Sequence, residues 1–339
     1  FVIDDLHLID DASSKALKYL VNKISVQSKL LLIATYRLEH TIPDYIRDHF
    51  CFNEMQLHRL SDQQTLELIK QYTQGKSLNS STLNKVIELS AGNPFFIEEW
   101  CNYVGQLPNS SIEDLPVPGN LHALILSRLD NLPHNLRLLL HKASVIGNEF
   151  FVQILKEIEK RLQDPIDVDA ILDELEQHTM IMKQLGYDYS TYYFKHLITR
   201  EVAYQTLLHQ NRKMLHQLTA EAIEAIFPDR IDEFVYSLAE HYLKAEIADK
   251  AKQYLNLAFN QALKLNDSSL ALDLGKSLLT QIDQDDVSTK YEVLIQLAAV
   301  DWLIGNWDEA FNKIEDVVSI IEKNDFRYCE IYRIGREHV

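Results

Sequence analysis

Two aspartates, Asp4 and Asp5, close the apolar run Phe1-Val2-Ile3, whose aromatic and β-branched make-up reads as a buried strand. In a parallel α/β sheet the carboxyl ends of strands face the ligand crevice, so both acids would lie there. Carboxylate oxygens suit a hard divalent cation such as Mg²⁺, usually through a retained water, and an adjacent carboxylate can orient an attacking water. An acidic pair at a strand end also serves as an N-cap or a solvated turn, so the pair alone does not decide. A second apolar run, residues 30–34, leads into Thr35-Tyr36-Arg37 and brings a guanidinium to a strand end. Arg37 there is either an anion reader or half of a surface ion pair. Further on, Ser90-Ala91-Gly92-Asn93-Pro94-Phe95-Phe96 joins a glycine that lets the chain turn at a helix end to a proline that fixes the next helix start.

Local patterns supply the elements that must carry these groups. Between the two strands, residues 13–24 have helical apolar spacing through Ala16, Leu17, Leu20 and Val21, with Ser13 or Ser14 as N-cap, which makes a βαβ unit. Residues 52–57 read as a further short strand, and Ser61 with Gln64 is a capping box that opens a helix to about residue 72. A helix over 82–89 leads to Gly92. A linker rich in Pro and Ser covers 107–118. Helical spacing then runs over 121–132, 135–146, 149–162 and 168–178. Strand-like runs over 180–185 and 191–194 follow, joined by Gly186-Tyr187-Asp188 as turn chemistry. Helices followed by a β-hairpin suggest a winged helix. Its last helix before the hairpin carries Asp167, Asp169, Asp173, Glu174 and Glu176 with no Lys or Arg, so a phosphate backbone would be repelled.

From residue 213 onward nearly every segment has helical spacing, punctuated by Ala239, Ala251, Ala258, Ala271, Ala299 and Ala310. Small residues of this kind allow close helix packing in tetratricopeptide-like (TPR-like) repeats, and the clearest unit surrounds Gly305-Asn306. Ala251 to Ala271 is too short for a repeat of about 34 residues, so the expectation is an α-solenoid without a regular period. Such a stack offers a concave face to a partner protein.

Composition bounds the function classes. The 339 residues exceed one hydrophobic core, and with 46% hydrophobic residues, nine Gly and eight Pro they predict a helix-rich globular chain of several domains. Lys and Arg number 33 against 50 Asp and Glu, a net charge of -17 that disfavours nucleic acid and anionic membranes. Cys51, Cys101 and Cys329 are odd in number and far apart, which encodes neither a disulfide framework nor a metal knuckle and points to the reducing cytoplasm. No run is apolar enough to span a bilayer. Apart from His196, the histidines show no ligand-like spacing, and no structural metal is expected.

In this order the motifs resemble a family. Asp4-Asp5-Leu6-His7 through Asp11-Ala12-Ser13, then Ala34-Thr35-Tyr36-Arg37 and Gly92-Asn93-Pro94-Phe95-Phe96, look like the Walker B, sensor and adenine-side stretches of STAND-type regulatory ATPases. Phe194-Lys195-His196 and Arg200 to Tyr204 are similar to the stretch that closes the middle domain in members attached to class III nucleotidyl cyclases. The resemblance implies a mainly α chain with an N-terminal partial α/β (P-loop NTPase) part. It divides the chain into the end of an ATPase core at 1–58, a helical lid at 59–106, a winged-helix-like domain at 107–212 and TPR-like helices at 213–339. It further implies that ATP or ADP with Mg²⁺ is the cofactor and that Asp4 holds the ion through water. Asp5 would then place the hydrolytic water and Arg37 read the γ-phosphate, with Gly92 and Pro94 beside the adenine.

His196 would sense the nucleotide from the middle domain, local hydrogen bonding being the alternative. An attached effector, a nucleotidyl cyclase before a kinase or a transcription regulator, and nucleotide-dependent assembly belong to the same implication. A non-hydrolysing scaffold is the rival from another class. Gly75-Lys76-Ser77 and Gly275-Lys276-Ser277 resemble the end of a phosphate loop, yet the earlier glycine it needs is Lys70 in one and Leu270 in the other. The phosphate loop is therefore expected upstream of Phe1, and the chain is expected to be a piece of a longer protein, inactive as an ATPase without that loop.

Overall fold

The computed structural model describes residues 1–24, 29–37, 39–73, 78–105, 117–163, 166–184, 190–283 and 285–320, and it is mainly helical. It divides into two units, Phe1–His58 and Arg59–Val339.

In the first unit β1 (Val2–Ile3) pairs in parallel with β2 (Ile33–Ala34), Val2 opposite Ile33 and Ile3 opposite Ala34. The crossover carries α1 (Asp11–Lys23), and a single turn, α2 (Asp44–Arg47), follows β2. Asp10, not Ser13 or Ser14, caps α1: its carboxylate accepts from the Ser13 amide at 2.8 Å, placing a negative charge at the positive end of the helix dipole. Leu6, Leu17 and Val21 form a buried cluster against which Ile3, Leu32 and Ala34 pack. The strands are covered on this face and exposed on the other, in contrast to the expectation of buried strands. Successive residues of a strand point to opposite faces, so Val2, Leu31 and Ile33 are 49–73% exposed. Residues 52–57 form no strand, in contrast to the expectation; Met55 and Leu57 are exposed, and Glu54 accepts a hydrogen bond from Tyr36 Oη, a side-chain contact in place of a ladder.

The second unit opens with α3 (Asp62–Tyr72), where both arms of the Ser61–Gln64 capping box are formed, then α4 (Ser80–Ser90) and α5 (Pro94–Gly105). Ile69, Val86, Phe96, Ile97 and Trp100 hold these together as one apolar cluster. Most of the expected linker lies outside the described residues. After it come α6 (Leu121–Asp130), α7 (His134–Ile146), β3 (Glu149–Phe151), α8 (Val152–Leu162), α9 (Val168–Gln177), β4 (Ile181–Gln184), β5 (Thr191–Phe194) and α10 (Leu197–Gln205). The strands make an antiparallel sheet in the order β3-β5-β4. β3 corrects the expected helix from Glu149: Glu149 and Phe150 pair with Tyr193 and Tyr192, and Phe150 is buried between the sheet and α7 to α9. The turn at Gly186-Tyr187-Asp188 lies outside the described residues.

Six further helices stack in chain order: α11 (His209–Ile226), α12 (Ile231–Lys244), α13 (Ala248–Lys264), α14 (Ser268–Gln281), α15 (Val287–Ile304) and α16 (Trp307–Ile320). Ala239, Ala251, Ala258, Ala271 and Ala310 are buried between them. On α15 the inward alanine is Ala298, and Ala299 is exposed, a one-residue correction set by the neighbouring inward residue Leu297. Gly275 lies buried inside α14, where a Cβ would come within 2.5 Å of the Leu297 side chain and 3.0 Å of Phe259. It is a packing glycine in a helix, not the end of a phosphate loop; Gly75 lies outside the described residues.

Candidate functional site

At the carboxyl end of the parallel pair, one hydroxyl organises both acids. Thr35 Oγ1 donates its proton to Asp4 Oδ1 and accepts the Asp5 amide at 2.9 Å. The Leu6 amide donates to the Thr35 carbonyl at 2.8 Å, and the Leu8 amide closes a 3₁₀ turn on the Asp5 carbonyl at 2.8 Å. Asp5 is left-handed, with φ 53° and ψ 48°, a conformation that costs a residue with a Cβ about 1–2 kcal/mol. Conformations of this kind cluster at sites where a side chain must be aimed. Asp4, Asp5 and Arg37 are all exposed, and Arg37 stands two residues past Thr35 on the same edge. Among the described residues its guanidinium has no hydrogen bond or ion pair.

The second unit carries the other residues singled out by sequence. Ala91 and Gly92 are both left-handed, Gly92 with φ 72°, and the Leu60 amide donates to the Gly92 carbonyl at 2.9 Å. Arg59 adds a bond to the Ala91 carbonyl at 3.1 Å. Gly92 is buried against this backbone, while Asn93 and Pro94 stay exposed at the start of α5. The Asn93 side chain accepts the Phe95 amide at 3.0 Å, helping to begin the helix.

A polar seam joins α5 to the sheet domain. Phe95 lies against the His196 ring at 4.1 Å between centroids, so the residue that follows the Gly-Asn-Pro turn touches His196 through an aromatic contact. Next to it Lys195 pairs with Glu98, and the fully buried Arg128 pairs with the fully buried Glu99. Arg128 also donates to the His178 carbonyl at 2.7 Å and to Thr179 Oγ1 at 3.1 Å. Among the described residues His196 Nε2 is buried without a hydrogen-bond partner. Burial holds its pKa below the ordinary histidine value.

Two histidine pairs escaped the sequence reading, because their partners are brought together by packing and not by spacing. His7 stacks on His40 at 4.7 Å within the first unit. In the second, His216 Nδ1 and His241 Nδ1 are 2.8 Å apart, and Tyr204 Oη lies 2.9 Å from His216 Nε2. Burial lowers His216 to about 3, its neighbour His241 adding to the effect, and burial lowers His241 to about 4. Among the described residues no three metal-ligating side chains gather. Cys101 is buried and its thiol pushed up to about 12, which removes it as a nucleophile. Among the described residues no helix is long and apolar enough to cross a membrane.

The fold is thus that of a mainly helical chain in which a small parallel pair precedes helical and sheet domains and a stack of helices. Among solved structures it is similar to a Signal Transduction ATPase with Numerous Domains (STAND) protein with a tetratricopeptide repeat sensor from Pyrococcus horikoshii. The TM-score is 0.54 and the identity 16%, over 100% of this chain and 46% of that one. At that identity the likeness is one of fold, and the chain spans less than half of its neighbour's length. No family model and no curated protein matches the chain.

Proposed function

We propose that the chain forms part of an ATP-dependent signalling switch of the STAND type, in which nucleotide state sets how helical and sheet domains pack and the helical stack takes a protein partner. The observation that carries the reading is the Thr35 hydroxyl, which fixes Asp4 and the Asp5 backbone at once at the ligand-facing end of the parallel strands. The oxygen donors there fit a hard ion, and Asp4 would hold Mg²⁺ through water. When bound, that ion neutralises charge on the phosphates. Asp5 orients the hydrolytic water, and Arg37, whose guanidinium has no partner among the described residues, meets the γ-phosphate. Gly92 and the exposed Pro94 take the adenine side. His196, packed on Phe95, transmits the occupancy of that side to the sheet domain.

The helix, strand, helix, helix, strand, strand order of α7 to β5 supports a winged-helix-like domain, and its acidic α9 argues against nucleic acid. The similarity of residues 194–204 supports a nucleotidyl cyclase as effector, working in the cytoplasm with nucleotide-dependent assembly. In the protein expressed from its complete coding sequence, Asp5→Asn is expected to keep ATP binding and lose hydrolysis. Undiminished turnover in that variant removes Asp5 from the reaction.

A second reading, a scaffold without hydrolysis, draws on the aromatic surface of α15 and α16. Trp307 and Phe311 are 58% and 54% exposed beside Trp302. Partner capture that is indifferent to ATP, ADP or no nucleotide would favour the scaffold.

A further inference from the structure

His7 is the third residue after Asp4 and sits in the 3₁₀ turn that the Asp5 carbonyl closes. Its side chain is 4% exposed, and its Nδ1 is buried without a hydrogen-bond partner among the described residues. A buried polar atom left unpaired costs about 1–3 kcal/mol, so such a nitrogen needs an explanation. Asp5 Oδ1 lies 3.8 Å from it. A small side-chain rotation closes the remaining gap to hydrogen-bond length, as catalytic contacts commonly tighten when a ligand arrives. On its face His7 carries the His40 ring, and the His40 amide donates to the Arg37 carbonyl at 3.0 Å. The ring therefore stands between the segment that bears Asp5 and the segment that bears Arg37.

Resting on the nucleotide reading above, we propose that His7 is a positioning residue for Asp5. With the proton on Nδ1, it holds Asp5 Oδ1 and leaves Oδ2 to accept a hydrogen bond from the attacking water. The stack on His40 ties that orientation to the position of Arg37, so the water-orienting acid and the phosphate-reading cation are set together. Packing alone would be served by any flat ring at this place; the unpaired nitrogen beside a carboxylate is what packing leaves unexplained.

Two replacements separate donor from ring. His7→Phe keeps the stack and removes the donor, and His7→Asn keeps a donor near the position of Nδ1. In the complete protein with Mg²⁺ and ATP, His7→Phe is expected to lower kcat about tenfold while binding of a fluorescent ADP analogue stays within twofold of the parent. That fall corresponds to about 1.4 kcal/mol of transition-state stabilisation. His7→Asn is expected to recover turnover to within about threefold of the parent. Undiminished kcat in His7→Phe, or equal losses in both variants, overturns the role of His7 while the nucleotide reading stands. Absence of ATP turnover in the parent overturns that reading and this role with it.

A readout independent of any His7 variant's folding is ¹⁵N NMR of the histidine rings in the chain with its own His7. A proton on Nδ1 of His7 whose signal moves in Asp5→Asn is expected. An Nε2-protonated ring indifferent to Asp5→Asn overturns the proposal without reference to ATP.

Discussion

Replacing Gly92 with alanine tests the joint that presents Pro94. The added methyl would stand 2.3 Å from the Leu60 carbonyl oxygen, 3.0 Å from its nitrogen and 3.1 Å from Arg59 Cβ. These are mostly backbone atoms, so no side-chain rotation relieves the overlap. The chain must also keep φ near 72°, where a residue with a Cβ loses about 1–2 kcal/mol. Moving Leu60 away opens its 2.9 Å bond to the Gly92 carbonyl, another 0.5–1.5 kcal/mol or so. Together these give about 1.5–3.5 kcal/mol, or about a 10- to 400-fold rise in local opening. Hydrogen exchange read by mass spectrometry over residues 59–61 and 90–97 measures it directly. Gly105→Ala is the control, since a Cβ there meets nothing within 4 Å. Exchange in Gly92→Ala within twofold of the parent would refute the claim that this turn is held by close backbone approach.

Other expectations follow from the buried polar groups. Arg128→Met strands the Glu99 charge inside the α5 seam and is expected to cost about 3–5 kcal/mol in urea denaturation, whereas Arg128→Met with Glu99→Leu recovers most of that loss. A single mutant as stable as the double would contradict it.

The His216–His241 pair predicts acid sensitivity with a definite sign. Both rings are held neutral in the fold, at about 3 and about 4, while the unfolded chain protonates them near the ordinary value of 6.5. Their contribution is present in full above that value and is lost as pH falls towards the folded values, by up to about 1.4 kcal/mol per pH unit for each ring. Urea midpoints between about pH 7 and pH 5 are expected to fall less steeply in His241→Gln than in the parent, by about one proton's worth. Parallel pH slopes would exclude the pair as the cause.

What was legible beforehand was local. The Ser61–Gln64 box, the Gly92–Pro94 turn and the helices of the stack are written within a few residues, and the structure forms each. Asp10 was overlooked as a cap because two serines three and four residues later carry the same signal; the acid prevails by reaching the Ser13 amide. β3 was read as helix because three residues show no period, and its state is decided by Tyr192 and Tyr193 some forty residues away. The exposed side of β1 and β2 could not be inferred from an apolar run, which looks alike whether one face is covered or both. At the candidate site the acids and Arg37 are visible by type, but the Thr35 bridge needs the parallel register, and the His7–His40 and His216–His241 contacts need tertiary packing.

Gly275 bears on the shape of the stack as a whole. Helices joined only to their neighbours add their tilts one after another, so an error at one joint is inherited by every helix beyond it. With hydrogen as the side chain at the crossing of α13, α14 and α15, the Leu297 and Phe259 side chains come within 2.5 and 3.0 Å of where a Cβ would stand. A single methyl would act as a wedge, and α16 with its exposed tryptophan would swing as the far end of a lever while every local bond stayed intact.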